Sequence, residues 1–414
     1  MSKNKNKIIG LVEKQNKWRS ECINLIASEN VMSPFVEKFY VSDFMHRYAE
    51  GLPFKRYYQG TKFIDELEDL VGKLFKRHLK VSFVDLRPIS GTIANFATFL
   101  ALAKRGDLIM TVGLLGGSHI SHEKYGAAGV LGLRVKHFDF DVENYNLDVE
   151  KAKKDILKFK PKFIILGSSV VLFPFPVKEL KEVCQKTGTK IIYDAAHVFG
   201  LITGGQFQNP VKEGADIITS STHKTFPGPQ GGIILGNVDK KLAKEIQNKV
   251  FPSFVSNHHL HRIPALGLTL LEMQKFGPAY ARQIVKNAQA LAQNLASFGF
   301  EVFGKKRGFT QSHQVLVNVK KQGGGRKVAR SLERANIILN KNITALDRKV
   351  DASNPIGIRI GVQEMTRFGM KEKEMKEIAR FIKEVILDKQ KPEKVRKEVI
   401  EFRKSYQEAR YCFK

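Results

Sequence analysis

The sequence predicts an α/β protein: a mostly parallel sheet flanked by helices, with a smaller α+β unit after it. Two observations carry this. Short β-branched segments, bounded by glycine, proline or charge, recur between residues 107 and 236, with helical patterns between many of them. Near residue 271 the texture changes to sustained helical periodicity. Strand alternating with helix marks a parallel sheet covered on its faces.

Taken in order, the buried-strand candidates are "DLIMTVG" (107–113), "LRVKHFDF" (133–140), "KFIILG" (162–167), "KIIYDAAH" (190–197), "ADIITSS" (215–221) and "GGIILG" (231–236). Helical patterns cover 92–104, 148–159 and 177–187. Helix is expected over 271–298, then strands "FEVFG" and "HQVLVNV", a "GGG" loop at 323–325, a helix, and the short strand "GIRIG" (357–361). The last forty residues read as charged helix broken near Pro392. The expected organisation is an arm over 1–45, a large domain over 46–270 and a small C-terminal domain over 271–414. At 414 residues the chain can bury a sizeable core.

Composition narrows the function classes. No apolar run approaches twenty residues, so no membrane span is expected, and a cytoplasmic location is the default reading. Cys22, Cys184 and Cys412 lie far apart and read as free thiols rather than a disulfide framework or a zinc site. The net charge of +28 would suit nucleic acid, a membrane surface or an acidic ligand. It is dispersed along the chain, which reads as solvated surface.

Four short stretches carry chemistry. In "SSTHKTFPGPQGG", Lys224 directly follows a strand, where α/β sheets present groups to ligands. A lysine there can form a Schiff base with an aldehyde cofactor. In "YDAAH", Asp194 ends another strand, and His197 follows three residues on. A carboxylate in that place can keep a pyridinium nitrogen protonated, as pyridoxal phosphate requires. The alternatives, a capped strand end or a metal site, remain, but a third ligand at usable spacing is missing. Ser90, Gly91 and Thr92 open a helix, a place for a phosphate or for ordinary capping. His119 in "GGSHISH" can stack on a flat ring. Neither a Walker A loop nor a Gly-x-Gly-x-x-Gly fingerprint supports a nucleotide site.

With "INLIASENVMSP", "HRYAEGLPFKRYYQG", "YDAAHVFGL", "STHKTFPGPQGG", "ANIILNKN" and "GIRIGVQEMTRFG" in this order, the chain resembles the serine hydroxymethyltransferases, in their archaeal branch, among the fold-type I pyridoxal phosphate enzymes. The resemblance implies a homodimer with shared active sites. It makes Lys224 the cofactor's covalent anchor, with Thr222 and His223 beside it in the cofactor-binding set. Asp194 would face the pyridinium nitrogen, and His119 would stack on the ring. Ser90, Gly91 and Thr92 would hold the phosphate, and His197 would lie near the phenolic oxygen and the substrate. Arg359 would clamp the substrate carboxylate. Glu50 would be the acid–base group beside the hydroxymethyl carbon, and Ser28, Tyr48 and Tyr58 would line the substrate site. The implied reaction interconverts serine and glycine and passes the one-carbon unit to a reduced pterin, of tetrahydromethanopterin or tetrahydrofolate type.

Three departures from the family's bacterial pattern fall near the pterin and phosphate regions: Lys62 where a glutamate is common, Gln230 in place of an arginine, and "SFVSNHH", with Ser256, Asn257 and His258, in place of the glycine-rich loop that reaches the partner's phosphate. His258, His259 and His261 read as a polar interface loop rather than a metal site. Two rivals stand beside the transferase. One is a pterin-independent threonine or allo-threonine aldolase, which would use the same lysine and aspartate. The other is a basic nucleic-acid-binding protein on an inactive scaffold, which an intact Lys224, Asp194 and Arg359 set disfavours.

Overall fold

The computed structural model describes residues 2–414. Its large sheet has seven strands: β1 (Phe83–Asp85), β2 (Leu108–Thr111), β3 (Arg134–His137), β4 (Phe163–Leu166), β5 (Lys190–Asp194), β6 (Ile217–Ser221) and β7 (Gly232–Gly236). Their spatial order is β1-β7-β6-β5-β4-β2-β3. Neighbours from β6 across to β3 pair in parallel, and β7 runs against both β6 and β1. β4, β6 and β7 are buried along their whole length. That is why they read as unbroken apolar or small-residue runs rather than alternating ones.

A second sheet is antiparallel, with β8 (Glu301–Val302), β9 (Gln314–Asn318), β10 (Asn340–Asn342) and β11 (Gly357–Gly361) in the order β8-β9-β11-β10. The helices that matter below are α1 (Ser2–Ser20), α2 (Lys62–Leu79), α3 (Gly91–Leu102), α4 (Val149–Phe159), α5 (Val177–Thr187), α6 (Arg262–Ser297), α7 (Glu372–Ile386) and α8 (Pro392–Arg403). Local signals set their ends. Asp148 caps α4 by accepting from the Lys151 amide, Gly188 stops α5 in a left-handed turn, and Pro392 opens α8.

Two expectations shift in detail. The 133–140 strand is the edge of its sheet and leaves it after His137, so Phe140–Asp141 pairs with Asn146–Leu147 instead. The helix expected from 271 begins at Arg262, because Pro264 falls in its first turn, where a missing N–H is harmless. The expected boundary at 270/271 therefore lies inside α6, which at 36 residues is about 54 Å long. Gly267 lets α6 approach α2: a Cβ there would stand 2.6 Å from Val71 Cγ2.

Candidate active site

The carboxyl ends of β5 and β6 meet the N-terminus of α3 around a cavity of about 200 Å³. Ser90, Gly91 and Thr92 line one end, Asp194 and His197 another, with His119, His223 and Lys224 completing the wall. Two larger clefts, of about 760 and 770 Å³, contain none of the expected residues.

The loop carrying Lys224 is closed tightly. Thr222 donates its hydroxyl to the Pro229 carbonyl (2.6 Å), and its own carbonyl accepts from the Gly228 amide. Asn30 of the arm donates to the Lys224 carbonyl at 2.6 Å and to the Tyr280 hydroxyl at 2.9 Å. The side chain is largely withdrawn from solvent and lines the cavity. Burial lowers its pKa, Asp194 opposes that and Arg359 adds to it, leaving a value of about 8. A substantial neutral fraction near neutral pH is what a Schiff-base nucleophile needs.

Asp194 is held by three donors. Oδ1 accepts from the Ala196 amide (3.0 Å), while Oδ2 accepts from Asn95 Nδ2 (2.9 Å) and lies 2.9 Å from His122 Nε2. Burial pushes its pKa up, but His122, His119 and Asn95 outweigh it and keep the carboxyl well below the usual range. It is therefore a fixed anion, suited to a cationic ring nitrogen.

His197 is neutral, held far below its ordinary value by burial, Lys224 and Arg359. Its Nδ1 accepts from Gln314 Nε2 at 2.9 Å, which leaves the proton on Nε2. His119 is likewise neutral, lowered to about 4 by burial and by His122.

Ser90 both caps α3, accepting from the Ile93 amide at 3.1 Å, and lines the cavity. Gly232 passes so near that a Cβ on it would stand 2.2 Å from the Ser90 carbonyl oxygen. Arg262, fully buried, donates to the Leu86, Pro88 and Gly232 carbonyls and fixes the turn that leads into Ser90.

Arg359, on β11, sits behind this cavity. Nη1 donates to the carbonyl of Ser169, itself a lining residue, at 2.6 Å, and Nε to Asn340 Oδ1 at 3.2 Å. Among the described residues it pairs with no carboxylate, and Nη2 makes no hydrogen bond. Burial lowers its pKa to about 10, so it remains charged. A buried cation without a counter-ion is the mark of a site that receives an anion.

The family model for serine hydroxymethyltransferase matches residues 1–382. The chain belongs to the serine hydroxymethyltransferase family. The serine hydroxymethyltransferase of Staphylothermus marinus is 54% identical, across 96% of this chain and 90% of that protein. That of Pyrococcus furiosus is 52% identical, across 99% and 97%. A crystal structure of L-threonine transaldolase from Pseudomonas fluorescens, in its internal aldimine state, superposes with a TM-score of 0.90 at 30% identity, covering 100% of this chain and 96% of that one. The fold is that of the fold-type I pyridoxal phosphate enzymes. Membership brings the cofactor, pyridoxal phosphate, and the activity, interconversion of serine and glycine. The cavity fits that cofactor on physical grounds: an amine of lowered pKa, a buried carboxylate and a hydroxyl-bearing helix N-terminus all line one space.

The enzyme does not bring every expected residue to this cavity. Thr222 is buried beside it but serves the loop. Ser28 follows Ala27, against which Gly361 packs so closely that a Cβ would stand 2.4 Å from the Ala27 Cα; this sets Ser28 near the end of β11. Glu50, Tyr48 and Tyr58 do not line the cavity. The two tyrosines are 46% and 45% exposed, with ring centroids 5.0 Å apart. Asn257 and His258 turn toward their own chain, binding Ala49 and Glu68. Lys62, exposed at the start of α2, lies with its amine 5.2 Å from the Phe63 ring centroid.

Sequence reading missed Asn95, His122, Asn30, Arg262 and Gln314. Signals existed for two of them. Asn95 lies four residues, one helical turn, after Gly91 and so on the same face of α3. His122 is the second histidine of the motif that supplied His119.

Proposed function

We propose that serine is bound and cleaved between Lys224 and Arg359 of one chain and Glu50 of a second. The observation that carries this reading is the cavity lined by a lysine of lowered pKa and a buried aspartate, with an arginine behind it that pairs with no carboxylate among the described residues. Lys224 would anchor the cofactor, Asp194 would keep its ring nitrogen protonated, Ser90, Gly91 and Thr92 would hold its phosphate, and His119 would stack on its ring. Once bound, the cofactor supplies an electron sink for the carbon next to the substrate carboxylate. Arg359 receives that carboxylate and orients the bonds around the α-carbon. His197, with its proton on Nε2, donates a hydrogen bond at the site without adding charge. Glu50 moves the proton of the substrate hydroxyl as its one-carbon unit departs.

A second copy is supported by what the single chain leaves open. Tyr48, Tyr58 and Glu50 stand clear of the chain's own cavity, and Ile8, Leu11 and Val12 of α1 are more than half exposed. Among the described residues no helix is long and apolar enough to cross a membrane. A cytoplasmic setting and a site that needs no nucleic acid complete the reading.

The carrier is a methanopterin-type pterin, on the argument that Lys62 and Gln230 alter size and sign near "YAEG" and "GPQGG". Serine cleavage is to be measured without pterin, with tetrahydrofolate and with tetrahydromethanopterin. The expected order is negligible, poor and efficient. Rapid cleavage without pterin would favour the aldolase, and a higher kcat/KM with tetrahydrofolate would reject the carrier.

A further inference from the structure

The carboxylate of Glu50 makes no hydrogen bond or ion pair among the described residues, yet the backbone on both sides of it is pinned. Residues 47–50 lie in neither helix nor strand, and only a two-residue pairing, Gly51–Leu52 with Lys55–Arg56, follows them. Arg56 does the fixing. Its Nη1 donates to the carbonyls of Ala49 (2.9 Å) and Gly51 (2.7 Å), the two neighbours of Glu50. The rest of the same guanidinium is held by α2, through Nε to Asp65 (2.7 Å) and Nη2 to Glu68 (2.6 Å).

A second support comes from the loop before α6. Asn257 Oδ1 accepts from the Ala49 amide at 2.9 Å, and its Nδ2 donates to the Arg47 carbonyl at 3.2 Å. The adjacent His258 meets Glu68 Oε2 at 2.9 Å, which joins the two supports. The side chains of Arg56 and His258 are 1% and 2% exposed. Such a buried network is a weak source of stability, because desolvation offsets the attraction of its charges. Its geometric effect is direct, since one planar fork fixes the two carbonyls that bracket Glu50.

We propose that Arg56, locked by Asp65 and Glu68 and seconded by Asn257, is the positioning device that presents Glu50 to the reaction. The inference rests on the reading of Glu50 given above. It also gives Asn257 a purpose within its own chain: its amide side chain clamps the Glu50 segment at the Ala49 amide and the Arg47 carbonyl.

The test compares the holoenzyme with Arg56→Lys and Asn257→Ala in two reactions, pterin-dependent serine cleavage and exchange of the glycine α-proton. Hydrogen exchange at the Ala49 amide is followed alongside. Lysine keeps the charge but cannot span two carbonyls and two carboxylates. Arg56→Lys is expected to lower kcat for serine cleavage about 10- to 100-fold, the scale of a misplaced catalytic group. Serine KM and glycine exchange should stay within about threefold of the parent values. The Ala49 amide should exchange faster in both variants. If Arg56→Lys does not assemble, Asn257→Ala removes a single amide and should show the same selectivity with a smaller loss. Glu50→Gln is the control that separates the two ideas. If Glu50→Gln suppresses cleavage selectively while the clamp variants reduce both reactions equally, or neither, the positioning proposal is overturned. If Glu50→Gln itself is not selective, the reading of Glu50 falls, and the clamp's catalytic purpose falls with it.

Discussion

Lys224 and Arg359 are both cations drawn into the protein, and their burial sets what each can do. For Lys224 the amine loses its proton as pH rises through about 8. The chain stripped of its cofactor should therefore capture pyridoxal phosphate about tenfold faster at pH 9 than at pH 7, and level off above that. An ordinary lysine would keep accelerating toward about pH 10.4. Borohydride reduction and peptide mapping at each pH should place the label on Lys224, and a label elsewhere would remove the assignment. For Arg359, whose Nη2 is free among the described residues, the fork matters more than the charge. Arg359→Lys should weaken serine binding by roughly 1.5–3 kcal/mol, about 10- to 150-fold in KM. An unchanged serine KM would put the carboxylate elsewhere. At this scale the sequence was informative about position: Lys224, Asp194 and Ser90, each singled out by its motif, line one cavity. It was silent on Asn95, His122 and Gln314, because their roles arise from contacts between segments that only folding brings together.

Elements were legible where burial writes an unbroken apolar run, as in β4 to β7, and less so where a strand lies at an edge or a proline opens a helix. β3 leaves its sheet at His137, and α6 starts at Arg262 across an expected boundary. α6 also carries a junction that no periodicity would show. Glu272 pairs with Arg367 at 2.9 Å, and its other oxygen accepts from the Ser33 hydroxyl (2.6 Å) and the Phe413 amide (3.1 Å). The arm, α6, the segment after β11 and the C-terminus thus meet on one buried carboxylate. Removing one member of such a pair strands a charge, so Glu272→Ala should cost about 3–5 kcal/mol, read as a lowered urea midpoint. Glu272→Ala/Arg367→Met should recover part of that loss. A double variant whose losses simply add would show that the pair is not coupled.

At the scale of the whole molecule, Lys224 and Asp194 line the cavity of one chain with Arg359 behind it, while Glu50, Tyr48 and Tyr58 stand outside it. The sequence pattern treats both sets alike, since all of these residues lie in equally specific motifs and no motif records whether its partners belong to the same chain. The measurement that tests the central claim most directly is complementation between two inactive variants. Lys224→Ala and Glu50→Gln subunits are to be unfolded together, refolded at equal ratio with pyridoxal phosphate, and assayed for pterin-dependent serine cleavage. If Lys224 of one copy works with Glu50 of the other, random pairing into dimers restores roughly a quarter of the parent activity, since half the dimers hold one intact site of two. Activity no higher than that of either variant alone, in a mixture shown to contain mixed dimers, would contradict a site completed by the second copy.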